Sequence, residues 1–484
     1  MTVISKPLWK HQIATINMAL DGRNELAIFH EAGTGKTRTI IEILRGLTAR
    51  HGRLKTLIIC PQIVQNQWKK QLLEYNSALT DRDILVLTKS EKNRCLDFTN
   101  FVSTANGLEL AKIIILNPNG LEMKKLISLI EIWGPEVLVV DESHEFKGHG
   151  SVRAKVLMKI ADKAAYRYIA SGTPILNTES DIFMQYRILD RGVTFGTNYY
   201  AFRRVYYYDE NSAWAHRQNH FPKYVCSDES KEKIRGLMYS KAIRALKKDC
   251  LDLPPFVRKT VDVEMSVEQL RAYNEMKNDF ITWLSVNSGD DKPKAVVAQL
   301  ALTKAMKLQQ IVSGFAITDS GETVRFSSVP RIKVLGELLS TLTLSNKVIV
   351  WANFVENYKM ISELCIELGI KYAEVHGGQS AKEKFSAIEE FNSSKECRVM
   401  IANQGAGGVG VDMISASYAI YYSKDYSLNK DIQSEARNYR GGSHIHESIT
   451  RIDLVTQDTI DETITKALEQ KMDLASFILD KDIL

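Results

Sequence analysis

The stretch "FHEAGTGKTRTIIEIL", residues 29–44, reads as the end of an apolar strand, a glycine-bearing loop and the first turns of a helix. Gly33 and Gly35 flank Thr34, and Lys36 and Thr37 follow directly. Two glycines let backbone N–H groups approach an anion closely, and a helix N-terminus adds its own positive field. Lys36 is placed to reach the β- and γ-phosphates of a nucleotide, and Thr37 to ligate magnesium. A strict phosphate-binding loop has glycine where this chain has His30. A plain glycine-rich turn is the bland alternative. It leaves unexplained why Gly-Lys-Thr stands between a strand and a helix.

Outward from this loop, short β-branched runs recur at 25–29, 56–60, 83–87, 112–116, 136–141 and 166–171, with helical spacing between them. Strands apolar on both faces that alternate with helices predict a parallel α/β sheet. The pattern resumes at 347–354, 371–376, 397–403, 418–423 and 450–455. The expected fold is α/β: two parallel-sheet lobes, 1–190 and 331–484, with a helical insertion and linker over 191–330 between them. The insertion carries polar, aromatic and basic clusters.

Composition is consistent with this. The 484 residues are 44% hydrophobic and 25% charged, ordinary for globular domains. A net charge of +5, from 63 basic and 58 acidic residues, leaves room for a local basic track without requiring one. The six cysteines, Cys60, Cys95, Cys226, Cys250, Cys365 and Cys397, contain no CxxC pair, and the ten histidines show no metal spacing. A reducing compartment, cytoplasmic or nucleoid-associated, is expected, with no membrane partner and no structural zinc.

Two further elements carry chemistry. "VLVVDESHEF" (137–146) ends an apolar strand in Asp141 and Glu142. Carboxylates at a strand's C-terminal edge face the crevice where ligands bind in open α/β sheets. Asp141 suits a magnesium ligand, and Glu142 suits orienting or deprotonating an attacking water. In "DIQSEARNYRGG" (431–442), Arg437 and Arg440 are three apart and would share a helix face, where paired guanidiniums can stabilise a transferring phosphoryl group.

An ordered series now stands out. It runs "LWKHQ" (8–12), "EAGTGKT" (31–37), "LIICPQIVQNQW" (57–68), "DESH" (141–144), "SGTPILN" (171–177), "LKKDCLDLPP" (246–255), "KVIVWANF" (347–354), "AGGVGVDM" (406–413) and "QSEARNYRGG" (433–442). The series resembles that of superfamily-two helicases, specifically the Swi/Snf-type DNA translocases, over nearly the whole chain. Residues 200–214 resemble the annealing-helicase subgroup that remodels replication forks. The resemblance implies RecA-like lobes, ATP and magnesium as cofactors, and a DNA-stimulated ATPase. By it, Gln12 reads the adenine edge. Gly33, Thr34, Gly35, Lys36 and Thr37 hold phosphates and magnesium, and Asp141 and Glu142 serve metal and water. Ser171 and Thr173 couple nucleotide to DNA, Gly410 and Asp412 lie at the nucleotide cleft, and Arg437 and Arg440 are the fingers. DNA backbone contacts fall near Pro61, Thr173, Asn353, Gly377 and Asn403.

The chain departs from that pattern at His30, at Asn403-Gln404 where Ser-Thr is typical, at Tyr439 where histidine is common, and at Ser443. Trp68 and Trp351, beside motif strands, read as core rather than base-stacking residues. His144 suits coupling to the nucleotide state. "FRRVYYY" (202–208) offers Arg203 and Arg204 as DNA contacts, against a helix with one buried aromatic face. The expected function is an ATP-dependent translocase, monomeric, that remodels forked or branched DNA in replication, recombination or repair. An RNA helicase and a nucleotide-gated DNA-binding scaffold remain as alternatives.

Overall fold

The computed structural model describes residues 7–103, 112–212, 222–287, 294–318, 320–405 and 412–479. The chain divides into two compact units, Met1–Leu251 with Lys471–Leu484, and Asp252–Gln470. No helix among the described residues is long and apolar enough to cross a membrane.

In the first unit the β-branched runs form β1 (Glu25–Ile28), β2 (Thr56–Ile59), β3 (Ile84–Leu87), β4 (Ile113–Leu116), β5 (Val137–Asp141) and β6 (Tyr166–Ala170). A two-stranded ribbon, β7 (Tyr207–Asp209) and β8 (Tyr224–Cys226), comes next, and β9 (Ala242–Ile243) closes the sheet. The sheet order is β3-β4-β2-β5-β6-β1-β9, all ladders parallel. Alternate side chains feed two cores. Leu57, Ile59, Ile114, Leu138 and Val140 enter one, and Ile58, Ile113, Ile115, Val137 and Val139 the other. Both faces are thus covered, which is why these runs are apolar throughout rather than alternating.

The second unit holds β10 (Phe256–Asp262), the antiparallel ribbon β11 (Phe315–Ile317) and β12 (Thr323–Arg325), and then β13 (Val348–Ala352), β14 (Tyr372–Val375), β15 (Val399–Asn403), β16 (Tyr418–Tyr421) and β17 (Ile449–Val455). Its sheet runs β10-β17-β16-β13-β15-β14, again parallel. Val348 and Val350 enter one core, Ile349 and Trp351 the other.

The stretch 191–330 is shared between the units rather than set apart, 191–251 in the first and 252–330 in the second. It carries helices such as Tyr199–Tyr206, Asp228–Tyr239 and Lys294–Ser313. It also supplies β9 and β10, which extend the two sheets at their edges. β9 is two residues long and five of the seven residues of β10 are exposed, so neither shows the apolar run that marks a central strand.

Parallel strands deliver their C-terminal ends to one rim. β2, β5, β6 and β1 are consecutive neighbours. The segments just past their ends are therefore collected side by side: Pro61, Asp141-Glu142, Ser171–Thr173 and the loop 30–37. In the second unit β13, β15 and β14 are neighbours, and Asn353, Asn403 and Gly377 share their rim in the same way.

Candidate active site

The loop after β1 is set by its glycines. Gly33 and Gly35 have φ of +87° and +81°, conformations that side-chain-bearing residues rarely adopt. Space is the second constraint at Gly35, where a Cβ would stand 2.5 Å from Gln12 Nε2. Helix α1 (Lys10–Leu20) precedes β1, and α2 (Lys36–His51) begins at the residue after Gly35. Thr34 is buried, and its hydroxyl donates to the Glu31 carbonyl at 2.8 Å. Lys36 Nζ lies folded over the loop, donating to the His30 carbonyl at 3.0 Å and the Glu31 carbonyl at 3.4 Å. Thr37 follows it, half-buried in the first turn of α2.

Gln12 is buried and ties α1 to the loop. Its Oε1 accepts from Trp9 N–H at 2.8 Å, and its Nε2 donates to the Gly35 carbonyl at 3.2 Å. A primary amide keeps a second N–H and a second lone pair, so these bonds leave it able to meet a base edge. His11 Nε2 lies 2.9 Å from the Thr34 carbonyl. His30 stands edge-on to His11, ring centroids 5.2 Å apart, with Nε2 3.1 Å from Thr15 Oγ1. The unusual residue of the loop is therefore a filler between loop and α1. Burial, with His11, Lys36 and Arg244 nearby, pushes its imidazole down to about 3, so His30 is neutral.

Asp141 ends β5, next to the loop's strand but one. Its Oδ1 accepts from Glu142 N–H at 3.0 Å, and its Oδ2 accepts from the Trp68 indole N–H at 2.9 Å. Burial, and after it the charge of Glu142, pushes the Asp141 carboxyl up to about 6, while Trp68 and Lys36 pull the other way. Glu142 sits at φ +50°, a left-handed conformation uncommon for its type. His144 lies in a single 3-10 turn, Ser143–Phe146. Its Nδ1 is 3.3 Å from the Glu142 carboxylate and 2.9 Å from Ser171 Oγ, which in turn accepts from Thr173 N–H at 3.1 Å. Carboxylate, His144, Ser171 and Thr173 thus form one chain of contacts across β5 and β6. Gly172 lets that chain lie against the phosphate loop, since a Cβ there would come 3.2 Å from Ala32 N and 3.4 Å from Lys36 Nζ.

In the second unit Arg437 and Arg440 do not share a helix face. The helix Leu428–Glu435 has ended before them. The Arg437 carbonyl accepts from Met413 N–H at 2.9 Å, and the side-chain amide of the buried Asn438 donates to the Ala416 carbonyl, so the segment after the helix is tied to the 412–416 loop. This brings Arg440 into an ion pair with Asp412, two residues singled out separately in the sequence. Gly410 lies outside the described residues. Arg451, buried in β17, reaches Asp431 at 2.9 Å and Glu435 at 3.2 Å and fixes the helix from which the arginine segment departs.

The remaining expected contacts fall on the rims. Pro61 stands two residues past β2 and Thr173 three past β6. Asn403 is engaged internally: its Nδ2 donates to the Ala352 and Asn353 carbonyls, each at 3.3 Å, and to Tyr358 Oη at 2.6 Å. It staples β13 to β15. Gly377 is exposed, and Asn353 is half-buried. Arg203 and Arg204 lie on the helix Tyr199–Tyr206, where Phe202 is 2% exposed and packs against Phe183, Phe195 and Tyr206. Phe202 is core, Arg203 is half-buried and Arg204 is exposed.

Three contributors are not visible in the sequence as site residues. Trp68 reads as core and is core, but its N–H also holds Asp141. Buried indoles usually find an acceptor, and that tendency was the available signal. Gly172 and Glu31 carry no such signal. The Glu31 carboxylate accepts from Lys247 N–H at 2.6 Å, so the segment after β9 docks on the phosphate loop.

A glycine-bounded anion loop, a strand-end carboxylate pair and a histidine–serine link to the neighbouring strand define an α/β nucleotide-dependent enzyme. The SNF2-related domain model matches residues 11–314, and the helicase conserved C-terminal domain model matches 330–442. The chain belongs to the SNF2-related family, a family of ATP-using, DNA-dependent enzymes of the helicase class. It is 23% identical to human "DNA annealing helicase and endonuclease ZRANB3", covering 96% of this chain and 40% of that protein. It is 24% identical to the Caenorhabditis elegans homolog of "SWI/SNF-related matrix-associated actin-dependent regulator of chromatin subfamily A-like protein 1", over 96% of this chain and 61% of the other. To human "DNA repair and recombination protein RAD54B" it is 22% identical, over 96% and 53%. The chain therefore spans less than two thirds of the length of each of these relatives.

Proposed function

We propose that this chain is an ATP-driven, monomeric DNA translocase that moves forks and four-way junctions in replication, recombination or repair. The observation that carries the reading is the contact chain from Glu142 through His144 and Ser171 to Thr173. It joins the carboxylate placed to act on water to a rim residue placed to meet DNA. A change at the nucleotide is then felt at the grip, and only such differential interaction converts hydrolysis into motion. The names of two relatives, an annealing helicase and a recombination protein, favour branched substrates.

Thr37 and Asp141 would hold magnesium. Among the described residues no group of three or more His, Cys, Asp or Glu could form a metal cage. One carboxylate and one hydroxyl suit an ion that takes its other ligands from water and phosphate. Magnesium bound there supplies charge neutralisation on the phosphate oxygens. Lys36 binds the same phosphates, Glu142 positions water, and Arg437 and Arg440 add positive charge in the transition state. Moving a branch replaces each broken pair with a new one, whereas separating a plain duplex forfeits about 1.4 kcal/mol of stacking per step.

The test is ATP turnover with duplex, single-stranded, forked and four-way DNA and with RNA, alongside branch movement and duplex unwinding. DNA should stimulate turnover more than RNA, and junction movement should exceed unwinding of a long tailed duplex. Binding should weaken about 10³- to 10⁵-fold between about 50 and 200 mM salt if six to ten phosphates are gripped. Efficient unwinding with no preference for branches would replace this reading with a conventional helicase.

A further inference from the structure

The helix Tyr199–Tyr206 and the β7–β8 ribbon together present a tier of rings that the ATPase chemistry does not use. His149 stacks on Tyr199, centroids 3.8 Å apart and planes within 9°. Tyr200 meets both, edge-on. The Arg203 guanidinium then lies 5.4 Å from the Tyr200 ring centre and 3.9 Å from that of Tyr224. Tyr200 is 61% exposed and Tyr224 42%.

A core helix does not need this arrangement. Phe202 already anchors the segment, so Tyr200 and Tyr224 contribute little to folding where they stand. Large rings left in water beside a pre-set cation mark a surface made for something flat and anionic. The local charge agrees. Arg204 is exposed one residue on, and the His149 imidazole is held below its ordinary range by burial and then by the positive charges of Arg203 and Lys155. An acidic peptide would meet the cations but leave the rings idle. Unpaired nucleotides satisfy both, because every base has a stacking face and every linkage a phosphate.

We infer that His149, Tyr199, Tyr200, Arg203 and Tyr224 form a stacking platform for unpaired bases of a DNA strand. This rests on the proposed DNA-translocase function and deepens it. A translocase moving a branch must meet bases that have left one partner and not yet found another. Arg203 acts here by holding Tyr224 in place as much as by pairing a phosphate. Specificity for base sequence is not expected from stacking alone.

The experiment compares the full chain's affinity for a short oligothymidylate and for an abasic oligomer of equal length, at one salt concentration. The two share phosphates and differ in bases. Wild type should bind the oligothymidylate more tightly. Tyr200→Ala and Tyr224→Ala should each weaken that binding by roughly 5- to 150-fold, while abasic affinity stays within about twofold. Tyr200→Phe and Tyr224→Phe keep a ring and should restore it. Equal wild-type affinity for the two oligomers overturns the platform, as does an equal loss on both in the alanine variants. Duplex-stimulated ATP turnover, measured on the same preparations, should persist in every variant. Its absence from the wild type overturns the translocase reading instead, so the two failures are distinguishable.

Discussion

Replacing Trp68 by Phe keeps a buried ring and removes one donor, the indole N–H that meets Asp141 Oδ2 at 2.9 Å. Two costs result, and they separate. The first is structural: Trp68 is 2% exposed, and shrinking its ring leaves a gap, less costly than the ~3–5 kcal/mol typical of truncating an aromatic to alanine. The second is local. A hydrogen bond to an ionised group contributes about 1.5–3 kcal/mol, and here it fixes one oxygen of the carboxylate while Glu142 N–H fixes the other. Without it the carboxylate is free to turn about its bond to Cβ, and its lone pairs no longer point one way. Outer partners of metal ligands typically change metal affinity or activity by about 10- to 100-fold. The expected outcome for Trp68→Phe is therefore a rise of about that size in the magnesium concentration giving half-maximal turnover. Nucleotide binding without magnesium, read by displacement of a fluorescent analogue, should change little. Leu72→Ala, a truncation at a buried position of the same helix, controls for stability and should leave the magnesium dependence alone. An unshifted magnesium curve in Trp68→Phe, with only a lowered Tm, refutes the positioning role and returns Trp68 to the core.

Lys36→Ala and Glu142→Gln should both abolish turnover by different routes, the first weakening nucleotide binding and the second leaving it largely intact; equal loss of affinity in both contradicts the roles assigned. Arg440→Ala should lower turnover by ~10³–10⁵, the range for an arginine finger. Because Arg440 also pairs with Asp412, Asp412→Asn is the companion variant: a loss as large there shows that the ion pair, not the transition-state charge, is what matters. His30 gives a pH prediction. Its imidazole titrates near 3 when folded and near 6.5 when unfolded, so between those values the unfolded chain binds the extra proton. Stability is fully present above about pH 6.5 and falls as pH drops towards 3, by up to about 1.4 kcal/mol per unit. Denaturant unfolding of wild type against His30→Gln should show the variant losing less stability between about pH 6.5 and 4. Parallel curves would mean that His30 is protonated in the folded state.

The central strands were legible because burial on both faces writes an unbroken β-branched run, and each such run is a strand, shifted by a residue or two at its ends. The edge strands were not. β9 is held to β1 by backbone bonds, such as Phe29 N–H to the Ile243 carbonyl, which leave no mark in side-chain pattern. The phosphate loop was legible because glycine at positive φ and lysine beside it are demanded by the anion. The arginine segment was legible as residues but not as backbone: its spacing suggests a helix, and the Met413 and Asn438 bonds that tie it to the 412–416 loop leave no mark in the spacing of either stretch. Asn403 shows a further limit. Where Ser-Thr is typical, the chain uses a longer amide that reaches three acceptors at once, a compensation visible only when β13 and β15 are side by side.

That Trp68 is core and yet more than core has a general cause. Core and site are separate headings in a sequence, but in a parallel sheet they meet at the rim, where a strand's last buried residue adjoins its first reactive one. Val140 is core and Asp141 is the proposed magnesium ligand, one peptide apart. A side chain packed against that junction cannot avoid both roles. Its apolar body stabilises the sheet, and the polar tip of Trp68 bonds to the rim group Asp141. The same logic holds for Gly172, whose missing side chain admits Lys36, and for His30, which is packing on one side and loop backbone on the other. Tolerance to substitution in this lobe should therefore fall with proximity to the strand ends rather than with burial alone. Leu57→Val, buried at the start of β2, should cost stability and leave turnover per folded molecule unchanged, whereas Trp68→Phe should cost both. A Leu57→Val variant whose magnesium dependence shifts as far as that of Trp68→Phe would show that the whole sheet, not its rim, sets the geometry of Asp141.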